Sequence, residues 1–489
     1  MRTAEPRRDS VPPPLTWAAE AVEAAATAAA QRRWVLLATS LAAFVAFLDA
    51  TIVNIAFPNL QASFPDVSRS WLSWVLNGYN IVFAALLVPA GRIADLLGRR
   101  RVFAFGVVSF AVASLLCAVA PTAGVLVAMR VLQAVGAALL VPTSLGLLLD
   151  EYPVGDRIRA IAVLGAVAAL AAALGPVLGG LLVNAFDWRA VFVVNLPVCL
   201  LILFLTWRHV REQRDPEAGR LPDPVGIVLF AAGMALLALA LTRQDVWGWG
   251  DIRVAGSLGL GVLLMLGFVA RSRRHPSPVV ELSLFSLPLV RMANCAIIVF
   301  AAAFFAKILI DVLFLTSIWH YSVLGAGLAM TPGPLITAIL ATPAGRLADR
   351  YGVVPVAAAG AAVYALACAW YALRAGTSPD YVGVWLPGAG LTGLGIALAF
   401  PSFTSAAVMS LPPARYGTGS AVNAAARQLG GVLGIAIVVS IIGASNRPAP
   451  HGAFVHAWIY AAISAGLAAV VALALGRGAA SAQSVLKQP

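Results

Sequence analysis

Residues 91–100 read GRIADLLGRR, and residues 345–352 read GRLADRYG. Gly91, Asp95 and Gly98 of the first copy return as Gly345, Asp349 and Gly352 of the second, each 254 positions later. A charged turn bounded by glycines and repeated at that distance means that the chain contains one architecture twice. A looser echo lies near the same offset, GPVLGG at 175–180 against LGGVLG at 429–434. Between these markers the sequence runs apolar for about 20 residues at a time. At 1.5 Å per residue, such a helix crosses ~30 Å of hydrocarbon.

Composition excludes a soluble protein. Of 489 residues, 61% are hydrophobic and 11% charged, with a mean hydropathy of +0.90, whereas soluble domains carry about a quarter charged residues. The fold class is therefore all-α polytopic membrane protein with fourteen spans. These cover residues 34–56, 71–90, 102–120, 124–148, 160–183, 188–207, 224–242 and 252–270. The second group covers 292–318, 325–344, 353–373, 381–405, 417–443 and 456–476. The expected organisation is a disordered tail (1–31), a six-helix half (32–208), an inserted helix pair with its loops (209–285), a second six-helix half (286–476) and a short tail (477–489). Both tails are expected in the cytoplasm. With that orientation 24 of the 33 Lys and Arg fall in tails and cytoplasmic loops, 6 in outer loops or at the outer ends of spans and 3 deep within spans, the asymmetry the positive-inside rule requires. Topology thus accounts for the net charge of +12, and nucleic acid is not an expected partner. The expected partners are the lipid bilayer, protons and a small-molecule substrate, for a monomer. Cys117, Cys199, Cys295 and Cys368 all lie in apolar segments without metal-ligand spacing and read as small buried hydrophobes. No metal or cofactor is expected.

Charges inside spans carry the functional reading, because an ionisable group in hydrocarbon is costly. Asp49 lies in FVAFLDATIVNIAFP (44–58), and Arg130 in the fourth span. Counted from the outer ends of two antiparallel spans, they lie at similar depth, ~12 and ~9 Å. A buried carboxylate facing an arginine titrates according to how tightly the pair is held. A static pair that only fixes helix packing is the alternative, and buried pairs are poor stabilisers. Tyr79, Asn80 and Gln133 add polar groups on neighbouring spans, along with Asn54 and Asn77, and are candidates for lining a substrate or coupling cavity; helix–helix hydrogen bonds are the commoner use of such residues. In the ninth span, FFAKILIDVLF places Lys307 and Asp311 one turn apart near mid-membrane. A substrate or coupling role is weighed there against a self-neutralising pair in the poorer Lys-before-Asp order. Asp95 and Arg99 form an i,i+4 pair in the loop after span 2, followed by Arg100, with Gly91 and Gly98 allowing a tight turn. Gly175, Pro176, Gly179 and Gly180 make span 5 a bent helix of close contacts.

These stretches together resemble the fourteen-helix drug:proton antiporters of the major facilitator superfamily. The resemblance runs from Trp34 to about Arg477. It rests on LDATIVNIAFP in span 1, GRIADLLGRRRVF after span 2, RVLQAVGAALLVP in span 4, LGPVLGGLL in span 5 and DWRAVFVVNLPV opening span 6. Ala134 departs from the pattern, standing where the family has glycine. The resemblance implies a major facilitator fold, with proton coupling by the acid and arginine at Asp49 and Arg130. It further implies gating by the 91–100 loop and its copy, and a seal on one side of the cavity by the glycines of span 5.

The expected function is proton-coupled export of amphipathic or cationic organic compounds by alternating access. Alternatives are a dedicated exporter of one endogenous metabolite or antibiotic and, from another class, a transport-fold sensor. No loop carries a nucleophile motif, a His/Cys/acid cluster or a phosphate-binding glycine loop, which argues against an enzyme.

Overall fold

The computed structural model describes residues 15–214, 221–411, 415–443 and 449–486, and among these every regular element is helical. In the first half the long helices are α1 (Leu15–Ser63), α2 (Arg69–Leu97), α3 (Arg99–Ala118), α4 (Ala123–Glu151), α5 (Val154–Ala185) and α6 (Ala190–His209). Then come α7 (Pro224–Trp247) and α8 (Ile252–Arg274). The second half holds α9 (Pro288–Ser317), α10 (Val323–Tyr351), α11 (Val353–Arg374), α12 (Tyr381–Val408), α13 (Tyr416–Ile442) and α14 (His451–Leu486). Thirteen helices are long and apolar enough to cross a membrane. The fourteenth, α5, has 32 residues, of which Leu174–Ala185 forms the described apolar stretch.

Local sequence explains the ends and bends. Side chains of Thr122, Asp223, Asp251 and Ser322 accept from backbone N–H groups in the first turns of α4, α7, α8 and α10, filling bonds no helix can make for itself. Gly98 and Gly352 turn the chain between helices in the left-handed region, at φ 109° and 89°, where a side chain is strained. Prolines bend matching helices: Pro89 in α2 and Pro343 in α10, Pro142 in α4 and Pro401 in α12.

Two sequence expectations need correction here. Residues 15–31, expected in a disordered tail, belong to α1; the run AAEAVEAAATAAA is rich in alanine, the strongest helix former. Residues 1–14 of that tail lie outside the described residues. The helix also continues to Ser63 rather than ending near residue 56. Cys295 is exposed on the bundle surface, whereas Cys117, Cys199 and Cys368 are buried.

The halves repeat their packing helix for helix. In the first, α1 packs on α5, α4 and α6, α2 on α4, and α3 on α4 and α6; in the second, α9 packs on α13, α12 and α14, α10 on α12, and α11 on α12 and α14. The glycines explain the central pair in each. A Cβ at Gly179 would come 2.9 Å from Ile52 Cγ1, and one at Gly175 would overlap the Thr51 hydroxyl. In the second half a Cβ at Gly430 or Gly434 would overlap the carbonyls of Ile298 and Ala302. Each half therefore presses its first helix against its fifth through a glycine pair four residues apart.

Contacts between halves gather at one end, the end away from the 91–100 loop. There α5 meets the start of α10, where a Cβ at Gly327 would overlap the Pro176 carbonyl. Arg69 Nη1 donates to the Gly443 carbonyl at 2.9 Å, and one apolar cluster draws on α1, α2, α4, α9, α12 and α13 together. Toward the 91–100 loop the cores separate. One cluster belongs to the second half, and the other to the first half with Ala425 of α13 as its one buried member from across. The α7–α8 pair sits beside the α2–α13 contact. Ser70 donates to the Thr242 carbonyl at 2.6 Å and Gln244 to Ser440, so α7 is tied to both halves. Arg271 grips Asp223 with two bonds of 2.5 and 2.8 Å, holding its carboxyl below the usual carboxylate range and clasping α8 to α7.

Gly434→Ala is expected to destabilise the folded protein by about 1–3 kcal/mol, the usual cost of overpacking. Gly345→Ala, with nothing within 4 Å of the added carbon, should be neutral or stabilising by less than ~1 kcal/mol. Thermal unfolding in detergent checks both, and equal effects would refute the close-packing account.

Candidate functional site

Asp49 is fully buried at the centre of the first half. Its Oδ2 accepts from Arg130 Nη1 at 2.5 Å, and its Oδ1 from Gln133 Nε2 at 2.9 Å and Asn195 Nδ2 at 3.2 Å. Gln133 Nε2 also reaches Ser114 Oγ at 2.8 Å, and its Oε1 accepts from Arg130 Nη1 at 2.6 Å. Arg130 Nε donates to the Val75 carbonyl at 3.1 Å, and its guanidinium lies 4.1 Å from the centre of the Tyr79 ring. Helices α1, α2, α3, α4 and α6 thus converge on one carboxylate. Both charges are shielded from solvent and richly hydrogen-bonded, the condition under which a buried pair persists. Moving either helix changes the donors facing Asp49.

Sequence reasoning brought Asp49, Arg130, Gln133 and Tyr79 to this region and missed Ser114 and Asn195. Asn195 stands in the quoted stretch DWRAVFVVNLPV, and its side-chain oxygen is buried with no partner among the described residues. The Tyr79 hydroxyl is likewise without a partner, so that residue meets the site through its ring. Asn80 is buried on α2 and makes no bond to this cluster. Asn54 bonds back to the Ala50 carbonyl of its own helix at 3.0 Å.

The second half buries its own acid. Lys307 and Asp311 form an ion pair, 4% and 7% exposed. Trp458 Nε1 donates to Asp311 Oδ1 at 3.1 Å, and Lys307 Nζ lies 4.4 Å from the centre of the Tyr371 ring. Tyr371 belongs to α11 and Trp458 to α14, so the pair points into the core of its own half. Phe314, Trp319 and Trp385 pack around it in a connected aromatic cluster. Exchanging Lys307 and Asp311 does not preserve the local chemistry, because it sets a carboxylate on the Tyr371 face and an ammonium at the Trp458 N–H.

The 91–100 turn is tied within its half. Arg99 Nε donates to Asp95 Oδ1 at 2.9 Å, and Arg99 Nη1 pairs with Asp150 near the end of α4 and reaches the Gly146 carbonyl at 3.3 Å. Arg100 donates its backbone N–H to Glu212 at 3.2 Å and its Nη2 to the Trp207 carbonyl at 3.0 Å. In this structure the charged turn is a clasp between helices, joining α2, α3, α4 and the end of α6. The copy differs: Asp349 has no ion pair among the described residues, since Arg350 lies over the Tyr351 ring instead. Gly91 has only ordinary contact with Pro142, and Gly345 has open space. Gly98 and Gly352 are the glycines the turns require. Gly180 and Pro176 face the start of α10 while Gly175 and Gly179 face α1, so α5 serves both the half and the contact between halves.

One charged residue was not singled out by sequence at all. Arg427, near the middle of α13, is partly exposed inside the bundle and has no hydrogen bond or ion pair among the described residues. Its guanidinium lies 5.7 Å from the Phe47 ring of α1 and 5.8 Å from the Phe400 ring of α12. Two rings at that range offer about 0.5–1 kcal/mol each, against about 2.5–3.5 kcal/mol for arginine at a helix centre. The sequence did not set it apart, since Arg130 likewise stands in a span with no acid one turn away. Among the described residues no cluster of three or more His, Cys, Asp or Glu could hold a metal ion.

Two packed helical halves around buried charges, with their mutual contacts at one end, describe a multi-pass membrane transporter rather than an enzyme. Residues 39–314 and 292–485 match the model of the Major Facilitator Superfamily, and the chain belongs to that family. It is 34% identical to the "Multidrug resistance protein Stp" of Mycobacterium tuberculosis over 85% of this chain and 77% of that one. It is 32% identical to the "Cephamycin export protein CmcT" of Amycolatopsis lactamdurans over 85% of this chain and 86% of that one. Among solved structures, the POT family transporter PepTSo superposes with a TM-score of 0.69 at 16% identity, over 92% of this chain and 98% of that one. That likeness is one of fold.

Lys307→Met strands Asp311 in the core and is expected to cost about 3–5 kcal/mol. The double change Lys307→Met with Asp311→Asn should recover much of that loss. Melting curves in detergent read the difference, and additive losses would mean that the two charges are not coupled.

Proposed function

We propose that this protein is a proton-coupled secondary exporter of small amphipathic organic compounds, working by alternating access in the cytoplasmic membrane with both termini inside. The observation that carries the reading is the Asp49–Arg130 pair, 0% and 1% exposed and 2.5 Å apart, at the convergence of five helices. In this structure a cation and two amide donors, from Arg130, Gln133 and Asn195, face the carboxylate. When rocking of the halves shifts α1 against α4 within the first half and the arginine withdraws, an uncompensated carboxylate in a dry site takes up a proton. Proton binding and helix rearrangement are then one event, which is what exchange of a proton for a substrate needs.

Several features support export with this geometry. Contacts between the halves gather at the end away from the 91–100 loop, so with the proposed orientation this is a state open toward the cytoplasm, where an exporter loads. Relatives named for multidrug resistance and for cephamycin export favour organic cargo. The second name also favours the narrower reading of one dedicated antibiotic. Asp95, Arg99 and Asp150 serve as the clasp that keeps the first half rigid as it rocks. Lys307 and Asp311 are assigned to the core of the second half, without contact to cargo, because their partners lie on α11 and α14.

Asp49→Asn keeps the shape and removes the titrating group. In proteoliposomes with an imposed pH gradient, substrate-linked proton flux is expected to fall at least ~100-fold in protein that still expresses and inserts, with a lowered melting temperature because Arg130 loses its counter-charge. Gradient-driven export at the wild-type rate would exclude Asp49 as the proton carrier. Orientation is tested separately. Single cysteines placed in the 91–101 and 345–352 loops of a cysteine-free background should resist an impermeant maleimide in intact cells, and labelling of either loop from outside would overturn the topology.

A further inference from the structure

The three cations placed within spans have different fates. Arg130 is bound to Asp49 and Lys307 to Asp311, each within its own half. Arg427 is left over. It lies about 15 residues from the end of α13, ~22 Å at the helical rise, so neither end of the helix offers it an easy route to water. It shares a helix face with Gly430, Gly431 and Gly434, the residues on which α9 rests, so that face looks into the bundle and away from lipid. Phe47 belongs to the first half and Phe400 to the second, and the Phe304 ring packs against Phe400 at 5.0 Å. A lone guanidinium, partly exposed, thus lies between the halves with an aromatic ring on each side.

The acids complete the picture. Asp49 is 0% and Asp311 5% exposed, and both are engaged with cations inside their halves. Among the described residues, no carboxylate at this depth faces the space between halves. A cationic compound entering there meets a positive charge and nothing to neutralise it. An anion meets five N–H donors in a planar fork flanked by rings, the arrangement that suits a carboxylate on an aromatic body.

We propose that Arg427 is the substrate-anchoring residue between the halves, and that the preferred cargo is an aromatic or amphipathic organic anion, above all a carboxylate, rather than a cation. This rests on the exporter reading given above and narrows its substrate class. Arg427 gives the carboxylate a bidentate partner, Phe47 and Phe400 cover the apolar body, and rocking separates the two rings because they belong to different halves.

The test uses the full-length protein in proteoliposomes and three matched probes: 1-naphthoate, its methyl ester and 1-naphthylmethylamine. The naphthoate is expected to be exported with the lowest KM. Arg427→Gln should raise that KM at least ~10-fold while leaving the ester within about twofold, and Arg427→Lys should restore part of the difference. Equal losses for all three probes in Arg427→Gln would make Arg427 a structural bridge between the rings and overturn the proposal. Preference for the amine by the wild type would overturn it while leaving the exporter reading intact. Export of none of the three, nor of a wider panel of aromatic acids, esters and amines, would refute the exporter reading and this inference with it. Where Arg427→Gln fails to insert, Phe400→Leu provides the second variant. It is expected to raise the KM for naphthoate and ester alike, and no change for either would refute the ring-flanked site.

Discussion

Hydrocarbon offers no water to a carboxylate, and the architecture of each half follows from that. Asp49 needs donors, and the first half supplies them from Arg130 and Gln133 on α4 and Asn195 on α6, with Ser114 on α3 and the Val75 carbonyl of α2 completing the bonds of the donors themselves. Five helices are thereby registered against one another by a single charge, and sliding any one of them would leave a buried polar group unmade. Asp311 does the same on a smaller scale, binding α9 to α14 through Trp458. Charge satisfaction inside a half holds its helices together for as long as the pair is made.

What lets two such bodies move is the small-residue packing that surrounds them. Water gives no hydrophobic drive between helices in lipid, so close backbone approach and dispersion hold them. Glycine pairs press α1 onto α5 and α9 onto α13 within halves, while Gly180 and Gly327 bring α5 to α10 across them. The contact within a half is backed by buried ion pairs; the contact between halves includes a shared apolar cluster and the Arg69–Gly443 bond. Parting the halves exposes no carboxylate, whereas parting α1 from α4 would. The seam between the halves is therefore the one with fewer charged ties. The inserted pair α7–α8 bonds to both halves at the closed end, so it acts as a strap across that seam.

How much of this was legible in the sequence depends on what one dimension encodes. The repeat of Gly91, Asp95 and Gly98 at Gly345, Asp349 and Gly352 announced two halves, and helical rise turns residue number into depth, which brought Asp49 and Arg130 together in advance. Depth says nothing about rotation around a helix axis. Ser114 and Asn195 were invisible for that reason: many polar residues share their depth, and only the packing of α3 and α6 turns these two toward Asp49. The same limit applied to Asp95 and Arg99, whose i,i+4 spacing was plain while their third partner, Asp150, lies on a helix whose angle the sequence does not state.

The sequence by itself determined the membrane, the helices and the duplication, because hydropathy, helical period and positive-φ glycine are local properties written residue by residue. Tertiary structure alone decided which charges are spent and which remain. Arg130, Lys307 and Arg427 look alike as cations within apolar spans, and the difference between two neutralised ions and a guanidinium with no ion pair among the described residues arises from what the neighbouring helices bring to each. An absence of that kind has no sequence signature, since it depends on where every other helix puts its side chains.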